Sequence, residues 1–190
     1  MQFENSGIMH LLRGLEDGPQ RKTPPVDSWT PPYCGEIDMR IKRDGTWHYR
    51  GTPILRPQMV RMFSSILRKD EDGYRLVTPV EKVAIEVEDA PFVAAIFNVV
   101  ADGFSVVTQL GDEIAIGPLH PLRFESGAHD GIKPYVLVRG GLWALFSRAA
   151  TMELFAKASI EEINGVVWLG LNSRGSFFAM APTAQLEGLT

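Results

Sequence analysis

The chain has 190 residues, 45% of them hydrophobic and 22% charged, with a formal net charge of −4. This is an ordinary globular composition with ample core material for one domain or two small ones, and its acidic balance argues against nucleic acid as a general partner. The longest apolar run, within Pro91 to Val100, falls far short of the roughly 18 residues of a membrane helix. The first residues lack the basic start and apolar stretch of a secretory leader, and Cys34 is the only cysteine. No intrachain disulfide can form, and a reducing cytoplasm is the expected compartment.

In chain order, Ser6 caps an expected short helix whose apolar residues Ile8, Met9, Leu11, Leu12 and Leu15 follow the helical period, and Gly18-Pro19 ends it. The proline-rich stretch from Gln20 to Gly35 reads as an extended segment wrapping the surface, pinned by Trp29 and Tyr33. Residues 37–49 then predict a hairpin. A two-residue Asp44-Gly45 turn would mix charged and aromatic side chains on both faces. A three-residue loop, Arg43-Asp44-Gly45, instead sets Ile41 opposite Trp47 and Met39 opposite Tyr49. One face becomes wholly apolar, and Asp38, Arg40, Lys42, Thr46, His48 and Arg50 share the other. Burial of one face selects this register, with Gly45 left-handed and Asp38 placed to pair with Arg50.

Pro57 suits the first turn of a helix, and Met59, Val60, Met62, Phe63, Ile66 and Leu67 form one apolar stripe. Asp72-Gly73 precedes a strand-like run from Tyr74 to Val77, and Glu81 to Glu88 supplies another. Phe92 to Val100, Phe104 to Leu110 and Glu113 to Gly117 read as an antiparallel meander. Around Arg139-Gly140-Gly141-Leu142-Trp143 the hairpin motif returns, pairing Leu137 with Trp143 and Tyr135 with Leu145, with both faces apolar and expected to be buried. A second helix starts after Ser147 and runs to about Ala158. Ser159 to Glu162 looks like a capping box for a further helical turn, and Ser176 to Met180 is strand-like.

These motifs repeat in order. From the tryptophan to a helical phenylalanine is 16 residues in the first copy (Trp47 to Phe63) and 12 in the second (Trp143 to Phe155). From the tryptophan to a turn glycine is 26 (Gly73) and 22 (Gly165). The same four-residue difference at both landmarks places one indel at Gly51-Thr52-Pro53-Ile54, so the core is read as duplicated. The expected class is α+β: a two-lobed, internally duplicated fold of antiparallel sheets, each with one main helix. Residues 1–35 form an N-terminal helix and wrapping segment, 36–90 the first lobe and 91–190 the second.

Standard catalytic motifs are missing, and His10, His48, His120 and His129 lack metal-ligand spacing, so no metal site is predicted and no cofactor is indicated. The distinctive feature is charge: between Ile37 and Lys69 there are eight basic residues against two acidic ones. Arginine forks match phosphate and carboxylate oxygens, so the strip suggests an anion site. From these residues the ligand-binding candidates are Asp38, Arg40, Lys42, His48, Arg50, Arg56 and Lys82. Carboxylates for an enzyme reading would come from Asp38, Glu81 or the His129-Asp130 pair.

Cys34 to Ile41, Arg43 to Ile54, Leu76 to Lys82 and Val87 to Phe92 closely resemble the bacterial domain-of-unknown-function family 1285, and the likeness extends from about Pro24 to Leu145. The resemblance implies a two-lobed α+β fold with internal duplication, a second lobe superficially like a pleckstrin-homology domain, and no established activity. It further implies a small nucleotide-like ligand between the lobes and a role in signalling. It marks Asp38, Arg40, Trp47, Tyr49, Arg56 and Lys82, although the register argument puts Trp47 and Tyr49 in the core. The family carries a Thr-Asn pair where this chain has Thr108-Gln109, and that position is given no role. The resulting expectation is a cytoplasmic small-ligand-binding or sensor protein for an anionic, nucleotide-like molecule. The alternatives are an enzyme acting on such a ligand, or a protein-interaction module in which the second lobe or the N-terminal helix binds another protein.

Overall fold

The computed structural model describes residues 24–127 and 131–186, and the chain divides after Asp89 into two compact units. The expected N-terminal helix and the His129-Asp130 pair lie outside the described residues.

The first unit opens with a 3₁₀ turn, Val26–Ser28, followed by β1 (Tyr33–Ile41), β2 (Trp47–Tyr49), β3 (Thr52–Pro53), α1 (Pro57–Ser65), β4 (Leu67–Asp70), β5 (Gly73–Val77) and β6 (Lys82–Val87). The six strands make one sheet in the order β3-β2-β1-β6-β5-β4, antiparallel except where β1 lies parallel to β6. The first hairpin has the expected register: Met39 pairs with Tyr49, Arg40 with His48 and Ile41 with Trp47. Gly45 N–H donates to the Lys42 carbonyl at 2.9 Å, and Gly45 has φ 81°, the left-handed conformation in which a residue lacking Cβ is unstrained. Met39, Ile41 and Trp47 are at most 3% exposed. The Trp47 ring stacks on Phe63 of α1 with centroids 6.0 Å apart, so the helix covers the apolar face and leaves the polar strip to solvent.

Pro57 occupies the first turn of α1, where its missing N–H costs no hydrogen bond. The apolar stripe outlasts the helix. Ile66 leaves it with φ −100° and ψ 7°, and the fully buried Leu67 opens β4. The hydroxyls of Ser64 and Ser65 donate back to the Arg61 and Met62 carbonyls at 2.8 and 2.7 Å, competing with the backbone ladder at its last turn.

The second unit contains β7 (Phe92–Val100), β8 (Gly103–Thr108), β9 (Glu113–Ala115), β10 (Leu122–Ser126), β11 (Ile132–Arg139), β12 (Leu142–Phe146), α2 (Arg148–Phe155), β13 (Ser159–Ile163), β14 (Val166–Ser173), β15 (Ser176–Pro182) and α3 (Thr183–Leu186). Its strands form a six-stranded sheet, β10-β11-β12-β7-β8-β9, and a three-stranded sheet, β13-β14-β15. The predicted meander is β7-β8-β9. The second hairpin pairs Tyr135 with Leu145 and Leu137 with Trp143, with a bulge before Arg139 that absorbs the mismatch to its two-glycine turn.

Three expectations differ from the structure. Only one face of the second hairpin is fully sealed: Val136, Val138, Leu142 and Ala144 are buried, whereas on the other face Tyr135 is buried and Leu137, Trp143 and Leu145 are half-buried. The Arg123 guanidinium covers that second face, 4.5 Å from the Trp143 ring centroid and 4.7 Å from that of Tyr135. The duplicated tryptophans therefore differ: Trp47 is in the core, and Trp143 is half-buried beneath Arg123. Ser147 does cap α2, accepting from Ala150 N–H at 3.2 Å, but the helix ends at Phe155. Ser159 to Glu162, read as a capping box, belongs to β13, because the left-handed Asn164-Gly165 turn folds it back on β14 as a hairpin.

The order hairpin, helix, three strands thus occurs twice, with different closure. In the first unit the last of the three strands, β6, pairs with the hairpin. In the second, the three strands form a sheet of their own, and the hairpin pairs with β7. The class is α+β with one main helix per unit, and among the described residues no helix is long and apolar enough to cross a membrane.

Candidate functional site

The polar strip lies on the solvent-facing side of the first sheet. Alternation along β1 puts Asp38, Arg40 and Lys42 on that face, and the hairpin register sets His48 beside Arg40. Arg50 follows in the Arg50-Gly51 turn, where both residues have positive φ, as a two-residue hairpin turn requires. Its N–H donates to the Asp38 carbonyl at 2.9 Å. The expected side-chain pair is not made; the Arg50 guanidinium lies 5.3 Å from the Tyr49 ring centroid.

Parallel pairing with β6 changes the electrostatics of the strip. It places Glu86 next to Arg40, and Arg40 Nε donates to Glu86 Oε2 at 2.8 Å. Lys42 Nζ donates to Glu88 Oε1 at 2.8 Å, and the Arg43 N–H to the other oxygen at 3.1 Å. Those two donors hold the Glu88 carboxyl below its usual range. Arg43 also reaches Asp89 at 3.5 Å. The Arg40–Glu86 and Lys42–Glu88 pairs are exposed and individually weak, yet together with Arg43–Asp89, whose carboxylate is only 8% exposed, they cancel much of the charge counted along the sequence. Glu86 and Glu88 carry the same two-residue spacing as Arg40 and Lys42, a signal that becomes readable only once the parallel pairing is known.

Of the remaining candidates, His48 lies within 3.3 Å of Thr46 Oγ1 through Nε2. Thr46 gives its hydroxyl proton to Asp44 Oδ1 at 2.7 Å, so His48 Nε2 is the donor in this chain of bonds. The Thr46 bonds in turn keep the Asp44 carboxyl below its ordinary value. Arg50 and Arg56 have no carboxylate partner among the described residues. They sit at opposite ends of β2, because Ile54 N–H bonds the Trp47 carbonyl and carries the chain back toward the Asp44-Gly45 loop. Lys82, at the start of β6, is held by Asp70 at 3.3 Å, some four residues or about 13 Å along the strand from Glu86. Trp47 is 1% exposed, as the register argument requires, and Tyr49 is half-buried.

An open depression of about 760 Å³ lies over β1, β6 and β5, with the small residues Gly73 and Ala84 in its lining. Asp38 lines it; Arg40, Lys42, His48, Arg50, Arg56 and Lys82 do not. Its charged lining is Glu36, Asp38, Asp72 and Glu86 against Arg75 alone. The Arg75 guanidinium is spent on Asp72 at 2.6 Å and on the Tyr74 carbonyl at 3.0 Å. The depression is therefore lined mainly by acidic groups, while the basic residues Arg40, Lys42 and Arg50 lie outside it, on β1 and in the turns that flank β2. For the enzyme reading, Asp38 and Glu81 lie toward opposite ends of β1, on the order of 15 Å apart. Cys34 is exposed, and His120 is bonded through Nδ1 to the Leu137 carbonyl at 2.9 Å.

With this geometry in hand, the N-terminal domain described for DUF1285, a domain of unknown function, matches residues 24–90, and the C-terminal domain matches residues 91–180. The chain belongs to the DUF1285 family. It is 46% identical to a DUF1285 family protein from Silicibacter pomeroyi DSS-3, whose crystal structure superposes with a TM-score of 0.83 over 93% of this chain and 97% of that one. A second DUF1285 crystal structure, from Shewanella baltica OS155, is 29% identical and covers 62% of this chain and 89% of that one, with a TM-score of 0.50. No curated protein matches the chain. DUF1285 membership thus describes the architecture and assigns no reaction.

Proposed function

We propose that this DUF1285 protein binds a small anionic, nucleotide-like ligand on the polar face of its first unit, with the anionic group received by Arg50, His48 and Arg40. The supporting observation is that these three cation-capable side chains share one face of adjoining strands, Arg40 directly opposite His48, and only Arg40 is held by a carboxylate. Arg50 offers a planar fork for oxygen pairs and Arg40 a charge that Glu86 can release at small cost because the pair is exposed, while His48, whose Nε2 proton is taken by Thr46, flanks the anion from directly opposite Arg40. Lys42 and Lys82, each bound to a carboxylate, support the field without first contact, and Asp38 at the acidic border orients a hydroxyl or amine of the same ligand. The reading is one of binding or sensing.

Isothermal titration of the full chain against pyrophosphate and a panel of mono-, di- and cyclic nucleotides tests it. At least one member should bind with a dissociation constant below the millimolar range. Arg50→Ala should weaken it about tenfold, and Arg56→Ala, at the other end of β2, far less. Absence of binding at millimolar concentration, or binding indifferent to Arg50→Ala, overturns the proposal.

A further inference from the structure

We infer that β13 is a docking edge in the second unit, at which an extended basic segment of a partner protein adds to the β13-β14-β15 sheet as a fourth strand. Among the described residues β13 pairs only with β14. One row of its backbone N–H and C=O groups is left without a strand partner, which is the requirement for strand addition. The side chains at this edge are apolar where solvent is: Ile160 is 63% exposed, Val166 43%, Val167 42% and Ile163 38%. The pleat divides them. Ile160 and Val167 lie on one face, and Ile163 with its cross-strand neighbour Val166 lies on the other. An incoming strand therefore finds uncovered apolar surface above and below the sheet.

The charge on the edge selects the occupant. Glu161 and Glu162 stand between the two isoleucines, one on each face. Glu161 already accepts from Asn172 Nδ2 at 2.8 Å, which fixes its carboxylate. A second copy of β13 in the register that matches Ile160 to Ile163 would set glutamate against glutamate, and like charges directly opposite are destabilising. A segment of pattern apolar-basic-basic-apolar instead places its cations on Glu161 and Glu162 and its apolar residues against Ile160 and Ile163.

Fluorescence anisotropy of the full chain with a labelled peptide built around Val-Lys-Lys-Val tests this. The expected result is saturable binding that weakens about tenfold or more when the lysines become glutamates or when alternate peptide nitrogens are methylated. The double variant Glu161→Lys, Glu162→Lys, checked for an unchanged thermal melt, should lose the lysine peptide and gain the glutamate peptide. Binding that survives methylation, the absence of any binding at millimolar peptide, or failure of the charge-swapped pair overturns the proposal. So does self-association of the chain that Ile160→Lys abolishes, which would assign the edge to a second copy.

Discussion

The guanidinium of Arg68 joins two parts of the first unit that are far apart in sequence. Nε and Nη2 hold Asp70 at 2.6 and 3.1 Å, while Nη1 donates to the carbonyls of Val26 and Trp29 at 2.9 and 2.8 Å. The proline-rich segment has few backbone partners of its own, so this side chain fastens it to β4. Arg68→Ala should cost about 2 kcal/mol, because it removes charge-assisted bonds and strands part-buried carbonyls. The checks are a lower urea midpoint and faster proteolysis between Pro24 and Pro32. Asp70 gives the pair its pH dependence. Arg68, and then Lys82, hold its folded carboxyl below the ordinary value near 3.8. Its stabilisation is therefore fully present above that ordinary value and is lost as pH falls through the lower, folded one. Asp70→Asn should flatten the acid limb of stability against pH below about 4. Trp29 and Tyr33 were the anchors expected from the sequence, but Tyr33 is 51% exposed and Trp29 half-buried; the buried Val26 and Arg68 hold the segment instead, and Arg68 was not legible because its acceptors are main-chain oxygens that composition does not reveal.

At the scale of elements, the first hairpin's register was readable because one face had to be buried, and a slip of one residue would have turned Trp47 outward; the second hairpin, apolar on both faces, was legible only as a repeat of the first. Helix ends were not readable. Ile66 and Leu67 continue the apolar period of α1, but they belong to a turn and to β4, and an apolar residue is equally at home in either. Ser159 to Glu162 matched a helix start locally and was overruled by the Asn164-Gly165 turn beyond it. Two small residues hold the second unit's sheets in place. Ser173, 1% exposed, donates its hydroxyl to the Ile116 carbonyl at 2.8 Å and accepts from Phe104 N–H at 3.1 Å, bridging β14 to the six-stranded sheet. A Cβ on Gly170 would collide with the Phe177 ring and with the Phe178 carbonyl, 2.6 Å away. Gly170→Ala should therefore destabilise by about 2 kcal/mol through overpacking, read as a drop in melting temperature with a loosened amide-exchange pattern confined to β14 and β15.

Across the whole molecule, a window of sequence overstated the charge of the candidate site. Residues 37–69 are strongly basic, but their neutralising partners Glu86, Glu88 and Asp89 arrive from the end of β6, where only the tertiary pairing puts them. The α+β class and the repeated element order were legible; the acidic depression and the different closure of the two sheets were not, since both depend on which strands meet. Each unit has its own buried core. In the second, Phe92, Ile116, Tyr135, Leu142, Leu154 and Leu171 are each less than 2% exposed. A fragment of residues 90–190 should accordingly unfold as one cooperative transition, seen by circular dichroism and near-ultraviolet signals that coincide. Separate transitions for the two probes would count against it.

The parallel seam between β1 and β6 also has a kinetic side. Arg40 and Glu86 are 46 residues apart, so the strip's counter-charges cannot arrive until a long loop has closed, and closure entropy must be spent before any contact repays it. The β1-β2 and β4-β5 hairpins can form locally beforehand. During synthesis, Arg40, Lys42 and Arg43 emerge long before Glu86, Glu88 and Asp89, so these pairs can close only once β6 and the residues that follow it have emerged.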